Sequence, residues 1–201
     1  MSAESPKPSS SYSDEDWDSR VFTGETFERV RFTDIDLTEA VLTSCVFRDC
    51  SFTRVRFNAS THSDCAFLNC TFKQSTFFQT TFTECKLVGS AFERCTFQGL
   101  KVKGGDWSLA ALGHADLRTA AIENVRMREV DLTSVRLGGA VFRGVDLTNA
   151  WTPGVDFTEC DLRGTTLTTL DATTALLTGA IVGVEQAVQL ALAQGLDVRP
   201  D

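Results

Sequence analysis

Along most of this chain every fifth residue is large and apolar, and the interval never slips. Phe22, Phe27, Phe32, Leu37, Leu42, Phe47, Phe52 and Phe57 open the series, which resumes after His62 at Phe67 and runs in steps of five to Leu177. Of its 32 positions only His62, Thr152 and Ala172 break the rule, and 14 of the 15 Phe lie on it, Phe78 being the exception. A second register, two residues earlier, is small or β-branched. It holds Val30, Ala40, Val55, Ala110, Ala120 and Val130, together with all seven cysteines: Cys45, Cys50, Cys65, Cys70, Cys85, Cys95 and Cys160. A period of five matches neither the 3.6 of a helix nor the simple alternation of a strand. It matches a chain that turns a corner every five residues and sends one large and one small side chain inward on each side. Nine of the 14 Gly stand two residues after the large position, where such a corner calls for positive φ.

The repeat resembles that of the pentapeptide-repeat proteins, with clean copies at Ala115-Asp116-Leu117, Val130-Asp131-Leu132, Val145-Asp146-Leu147 and Cys160-Asp161-Leu162. The resemblance implies an all-β solenoid, a right-handed quadrilateral β-helix with four repeats per coil. The register from Phe22 to Leu177 then makes about eight coils, roughly 37 Å of rod at the usual strand spacing. Residues 20 apart stack, so Phe27, Phe47, Phe67, Leu87 and Trp107 form one internal column. Residues 1–19, rich in Ser, Pro and acid, read as a flexible N-terminal leader, and 20–182 as the β-helix. From 183 to 201 the five-residue rule gives way to helical spacing, which predicts a short capping α-helix with a tail and Gly195 at its stop. Leu176 and Ile181 occupy outward positions beside that helix. With Val184, Ala187, Val188, Ala191, Leu192 and Leu196 they make a candidate homodimer interface.

Catalytic chemistry is scarce. Inward cysteines in a tight core read as small hydrophobes rather than metal ligands or disulfides. His62 reads as a core substitution and His114 as an outward corner residue, and neither has the neighbours of a nucleophile–base set. No Gly-rich phosphate loop precedes a helix, and a filled rod has no substrate pocket. An enzyme is therefore not expected, nor a cofactor or metal. Leu68, Val88 and Phe78 are outward apolar spots, and Leu100 through Trp107 is an imperfect repeat.

The remaining signal is surface charge. A net charge of −8 and a pI near 4.8 argue against direct nucleic-acid binding, which depends on phosphate neutralisation. No stretch is long and apolar enough to span a membrane and no signal segment opens the chain, which predicts a cytoplasmic protein. Residues 21–99 carry 9 acids and 8 bases, and residues 100–201 carry 13 and 9, so the excess falls in the C-terminal half. The candidate acidic surface comprises Asp36, Glu39, Asp116, Asp131, Asp146, Asp156, Glu159 and Asp161. An Asp before the large residue either bonds its own backbone turn or presents charge, and repeated charges along a rod would imitate a phosphate backbone. Within the family the chain is most similar to the MfpA-like proteins, through Ala66-Phe67-Leu68-Asn69-Cys70-Thr71-Phe72, the uninterrupted register and Glu185-Gln186-Ala187-Val188. That resemblance implies a DNA mimic that binds DNA gyrase and protects it from fluoroquinolones or similar topoisomerase poisons. The same likeness admits a self-protection factor against a topoisomerase-targeting natural product. The alternative is a pentapeptide-repeat scaffold with an unrelated partner.

Overall fold

A computed structural model describes residues 10–199 apart from 169, 172 and 173. The chain winds as a parallel β-solenoid in which each residue pairs with the one 20 positions on. With a corner every five residues, the 20-residue coil has four corners, which divide the rod into four faces. The first face is a five-stranded sheet of Ser11–Ser13, Arg31–Thr33, Ser51–Thr53, Thr71–Lys73 and Ala91–Glu93. Single parallel bridges extend it through Ala111 and Asp131 to Trp151. The second face consists of single bridges alone, beginning with Asp16, Asp36 and Arg56. The third is a seven-stranded sheet from Val21–Thr23 to Val141–Arg143, carried on by bridges through Asp161 to Ile181. The fourth starts with the strands Thr26–Glu28, Val46–Arg48 and Ala66–Leu68 and continues as bridges to Asp146.

Both inward registers are buried along the rod. Phe27, Phe47 and Phe67 stack with centroids 5.0 and 4.6 Å apart, and Phe32, Phe52, Phe72 and Phe92 stack at 4.8 Å throughout. Neighbouring columns meet edge to face, as at Phe47–Phe52, so each ring satisfies both preferred aromatic geometries. The imperfect repeat fits by giving up a side chain. Gly105 stands on the small register at φ +86, and a Cβ there would lie 2.1 Å from the Cys85 carbonyl oxygen.

The rod begins earlier than its sequence suggested. Residues 10–19 are no leader: Ser11–Ser13 pairs with Arg31–Thr33, and Tyr12 and Trp17 are buried. Tyr12 stacks on Phe32 at 5.5 Å and Trp17 packs on Phe22 at 5.3 Å. Both lie on the five-residue register, so burying them extends the core by half a coil. The part of the expected leader at 1–9 lies outside the described residues.

The cysteines also do more than fill space. The Cys50 thiol donates to the Phe27 and Arg48 carbonyls, and Cys65 donates to those of Leu42 and Ser63. Ser75 and Ser90 on the same register make the same inter-coil bond through their hydroxyls, to Phe52 and Phe67. A thiol or hydroxyl here satisfies a carbonyl one coil away, which a methyl group would not.

At the far end the α-helix Val184–Ala193 closes with Gly195 at φ +82. The Leu196 N–H donates to Ala191 and the Gly195 N–H to Leu192, as in a Schellman stop. Among the described residues no helix is long and apolar enough to cross a membrane.

Candidate functional site

Two surfaces carry the candidate residues: the acids distributed around the rod and the apolar C-terminal end. The eight acids fall on all four faces. Asp36, Asp116 and Asp156 share the second face, where Arg56 follows Asp36 and Arg136 stands between Asp116 and Asp156. Asp131 lies on the first, Asp161 on the third and Asp146 on the fourth. Glu39 and Glu159 stand at exposed corners with φ of 56°.

Half of them are neutralised within the rod. Arg56 pairs with Asp36; partial burial opposes ionisation there, but the Arg56 and Thr38 bonds prevail and hold the carboxyl at about 2. Arg118 grips Asp116 through both Nε and Nη2, at 2.9 and 2.7 Å, which lowers its pKa, and Arg136 adds a third contact at 2.9 Å. Burial at Asp146 is likewise outweighed by Thr148 and by Arg128, 2.6 Å away. Asp161 lies between Arg163 and Arg143, is 7% exposed and is held well below the usual carboxylate range. Asp161 is therefore a buried ionic strut and offers no acidic surface. Its Arg partners stand two residues ahead and 18 behind, and only the coiling brings the second one close.

Asp131 and Asp156 cap their own turns, accepting from the backbone N–H of Thr133 and Thr158 at 2.9 Å. With Glu39 and Glu159, they carry no ion pair among the described residues. Sequence reasoning missed a further group: Asp14, Glu15, Asp16 and Asp18 rim the first coil and are exposed. Their signal was the placement of Tyr12 and Trp17 on the core register, which makes residues 10–19 a folded acidic end.

At the C-terminus the helix docks through a side chain that its apolar stripe does not predict. Gln186 is buried, its amide donating to the Leu162 and Thr165 carbonyls at 2.7 Å. Its oxygen accepts the Gly183 N–H at 2.7 Å and the Gly164 N–H at 3.3 Å. One side chain thus ties four backbone groups of the last coil and the helix start. The apolar stripe faces outward: Val184, Val188 and Leu192 are exposed, as are Ala187, Leu176, Ile181 and Leu196. Ala191 is half-buried and Leu190 packs against the core. Of the other apolar spots, Leu68 and Val88 are half-buried and Phe78 is exposed. Among the described residues no group of His, Cys, Asp or Glu is placed to hold a metal ion.

Comparison with known proteins places this geometry. The family of pentapeptide repeats (8 copies) matches residues 26–61, 110–149 and 140–179, and the pentapeptide repeat region matches 45–122. A trypsin-treated form of QnrB1, a plasmid-mediated fluoroquinolone resistance protein, is 23% identical with a TM-score of 0.52, covering 94% of this chain and 97% of that one. HetL from Nostoc sp. strain PCC 7120, a pentapeptide repeat protein involved in heterocyst differentiation regulation, is 16% identical with a TM-score of 0.27, covering 80% of this chain and 88% of that one. No curated protein sequence matches.

Proposed function

The chain belongs to the pentapeptide-repeat family, whose fold is the right-handed quadrilateral β-helix, and on that premise we propose that it is a non-enzymatic, cytoplasmic DNA mimic. Its partner is DNA gyrase, which it inhibits and shields from fluoroquinolones or similar topoisomerase poisons. The observation that carries this reading is a rod of net charge −8 on which the exposed Glu39 and Glu159 and the half-buried Asp131 and Asp156 are among the carboxylates without an ion pair among the described residues. The exposed acids Asp14 to Asp18 continue that display to the N-terminal rim. Such a surface competes with DNA for a basic groove, and charge steers the encounter. QnrB1, a plasmid-mediated fluoroquinolone resistance protein that shares the fold, supports the choice of drug class. Two copies joined through Leu176, Ile181, Val184, Val188, Leu192 and Leu196 would roughly double the length of the acidic rod and cover the outward apolar stripe.

A second reading, a scaffold with an unrelated partner, is favoured by the ion pairs that neutralise Asp36, Asp116, Asp146 and Asp161. The test is a gyrase supercoiling titration with and without a fluoroquinolone. The mimic inhibits supercoiling or rescues drug-induced cleavage, with potency falling steeply as salt rises. Reversing charge at Asp156 and Glu159 together raises the half-inhibitory concentration about tenfold, roughly 1.4 kcal/mol. Absence of binding and of any effect by the folded protein leaves the scaffold.

A further inference from the structure

The two halves of the rod are built differently, and they meet at one coil boundary. Rings touch in an unbroken chain from Tyr12 through Phe32, Phe52, Phe72 and Phe92 to Trp107, which also meets Phe82 edge to face. The next coil supplies Leu112, Leu117, Ile122 and Met127 to the core instead. Beyond Trp107 the described residues hold one ring pair, Phe142 with Phe157.

The hydrogen-bond ladder thins at the same boundary. On the second face the Phe77 N–H reaches the Thr96 carbonyl and the Leu117 N–H reaches that of Arg136, both at 2.8 Å. Between them the Phe97 N–H does not reach Asp116. By the repeat, the Arg94 N–H should reach the Gly113 carbonyl and the Asp116 N–H that of Cys95. Among the described residues neither bond is made, and the Gly99 N–H is diverted to Thr119 Oγ1 at 2.9 Å. The other three faces hold, through the N–H groups of Phe92 to Ala111 (3.0 Å), Ala121 to Leu100 (2.9 Å) and Trp107 to Arg126 (2.7 Å). The boundary is thinned on one side and not cut.

A change of corner coincides with the gap. In a closed corner the N–H of the small inward residue donates to the carbonyl three residues back, as Ala40 does to Leu37 at 3.1 Å. Three of the four corner columns start without that bond and first make it at Ser90, Ala115 and Thr165. At two of these switches a hydroxyl serves the coil before: Ser90 Oγ accepts the Cys70 N–H at 3.1 Å, and Thr165 Oγ1 that of Val145 at 3.2 Å. Ala115, stacked on Cys95, has no hydroxyl to give. Two more unmet groups lie in the coil before the boundary, Trp107 Nε1 and Ser108 Oγ, both buried without a partner.

We infer that this boundary is a seam between two cooperative units, and that the C-terminal unit, from residue 111 through the capping helix, opens while the N-terminal unit stays wound. The stability of a solenoid is a sum of coil and neighbour-interface contributions, so cooperativity breaks at the weakest interface. Unmet buried donors weaken this one. Residues 11–110 make five coils and hold nearly all the ring contacts, whereas 111–182 make about three and a half with a mainly aliphatic core, so the second unit is the first to open. The capping helix and its outward apolar stripe belong to that unit. The end surface is therefore presented or withdrawn as a whole, without unwinding the rest of the rod.

The native thiols report on this, since Cys45, Cys65 and Cys85 are buried in the first unit, Cys160 is buried in the second and the half-buried Cys95 stands at the seam. The full chain is pulsed with N-ethylmaleimide in urea below its global midpoint. Each cysteine is read by peptide mass spectrometry against its own rate in the unfolded chain. A second sample carries Val130→Cys, at a fully buried position on the column of Cys50 and Cys70, one coil past the seam. Cys160 and the thiol introduced at 130 react within about twofold of each other and at least about tenfold faster than Cys45, Cys65 and Cys85, with Cys95 no slower than Cys160. A graded fall from Cys160 through the introduced thiol to Cys85 is fraying from the end and overturns the proposal, as does one common rate for all buried thiols. Ala115→Ser, made in the otherwise native chain, follows the geometry of Ser90 and offers Cys95 the missing acceptor. It slows labelling of Cys160 about fivefold and leaves Cys45 unchanged. An unchanged Cys160 rate overturns the seam as well.

Discussion

At position 62 a core column otherwise built of hydrocarbon receives an imidazole. His62 is fully buried, stacked 4.6 Å from Phe82. Ser60 Oγ donates to the Phe57 carbonyl at 2.6 Å, so its oxygen accepts from His62 Nε2–H at 2.9 Å, and Nδ1 is left without a partner. Burial pushes the pKa down to about 3. A base whose pKa falls on folding stabilises the fold fully above its unfolded value of 6.5. The unfolded chain takes up the proton first as pH falls, so that stability drains away between 6.5 and about 3, at up to about 1.4 kcal/mol per pH unit. Asp36, lowered from 3.8 to about 2, loses its contribution over that lower window in the same direction. His62→Phe should raise stability by about 1–3 kcal/mol at neutral pH, since it removes an unsatisfied buried nitrogen and restores the ring column. Urea unfolding at pH 7 and pH 4 checks both parts, the gain over wild type being larger at pH 4.

At the scale of elements, stacking matters more than any strand. Among the described residues no strand exceeds three residues, so each is held by the strands above and below rather than by its own length. The ends are where this logic fails, and the two ends solve it differently. At the start, Tyr12 and Trp17 plug the first coil with aromatic surface. At the finish, Gln186 satisfies the carbonyls of Leu162 and Thr165 while its oxygen collects two N–H groups. Gln186→Ala should cost about 1–3 kcal/mol and release the helix. Circular dichroism would register the lost helical signal, and hydrogen exchange would rise at Gly164 and Gly183 while the middle of the rod stays protected.

For the molecule as a whole, the open question is what covers the outward apolar stripe. Val184 is 83% exposed and Leu192 53%, on a helix already anchored from its other side. The proposed pairing of two copies through this end would bury the stripe that the helix turns away from the rod. If wild type sediments as the proposed dimer, the double change Val188→Glu and Leu192→Glu should make it a monomer in sedimentation velocity without lowering the unfolding midpoint, because neither side chain is part of the core. A wild-type protein that sediments as a monomer at tens of micromolar would remove this interface.

By itself, the sequence determined the two inward registers, the corner positions and the helical turn of the last segment, while four repeats per coil came from the family resemblance. These are local consequences of a period, and a reader needs only to count. The same counting would have recovered Tyr12 and Trp17, since both lie on the register and only the polar composition around them concealed it. Two features were settled by the tertiary structure alone: which carboxylates are paired across coils, and which side of the helix meets the rod. Asp161 meets Arg163 within its own repeat, but Arg143, 18 residues back, closes on it only through the coiling, while Asp131 meets Thr133. In a solenoid the environment of a side chain is made by residues one coil away, and whether those neighbours neutralise, bond or fail to bond is decided only when the coils are laid on one another.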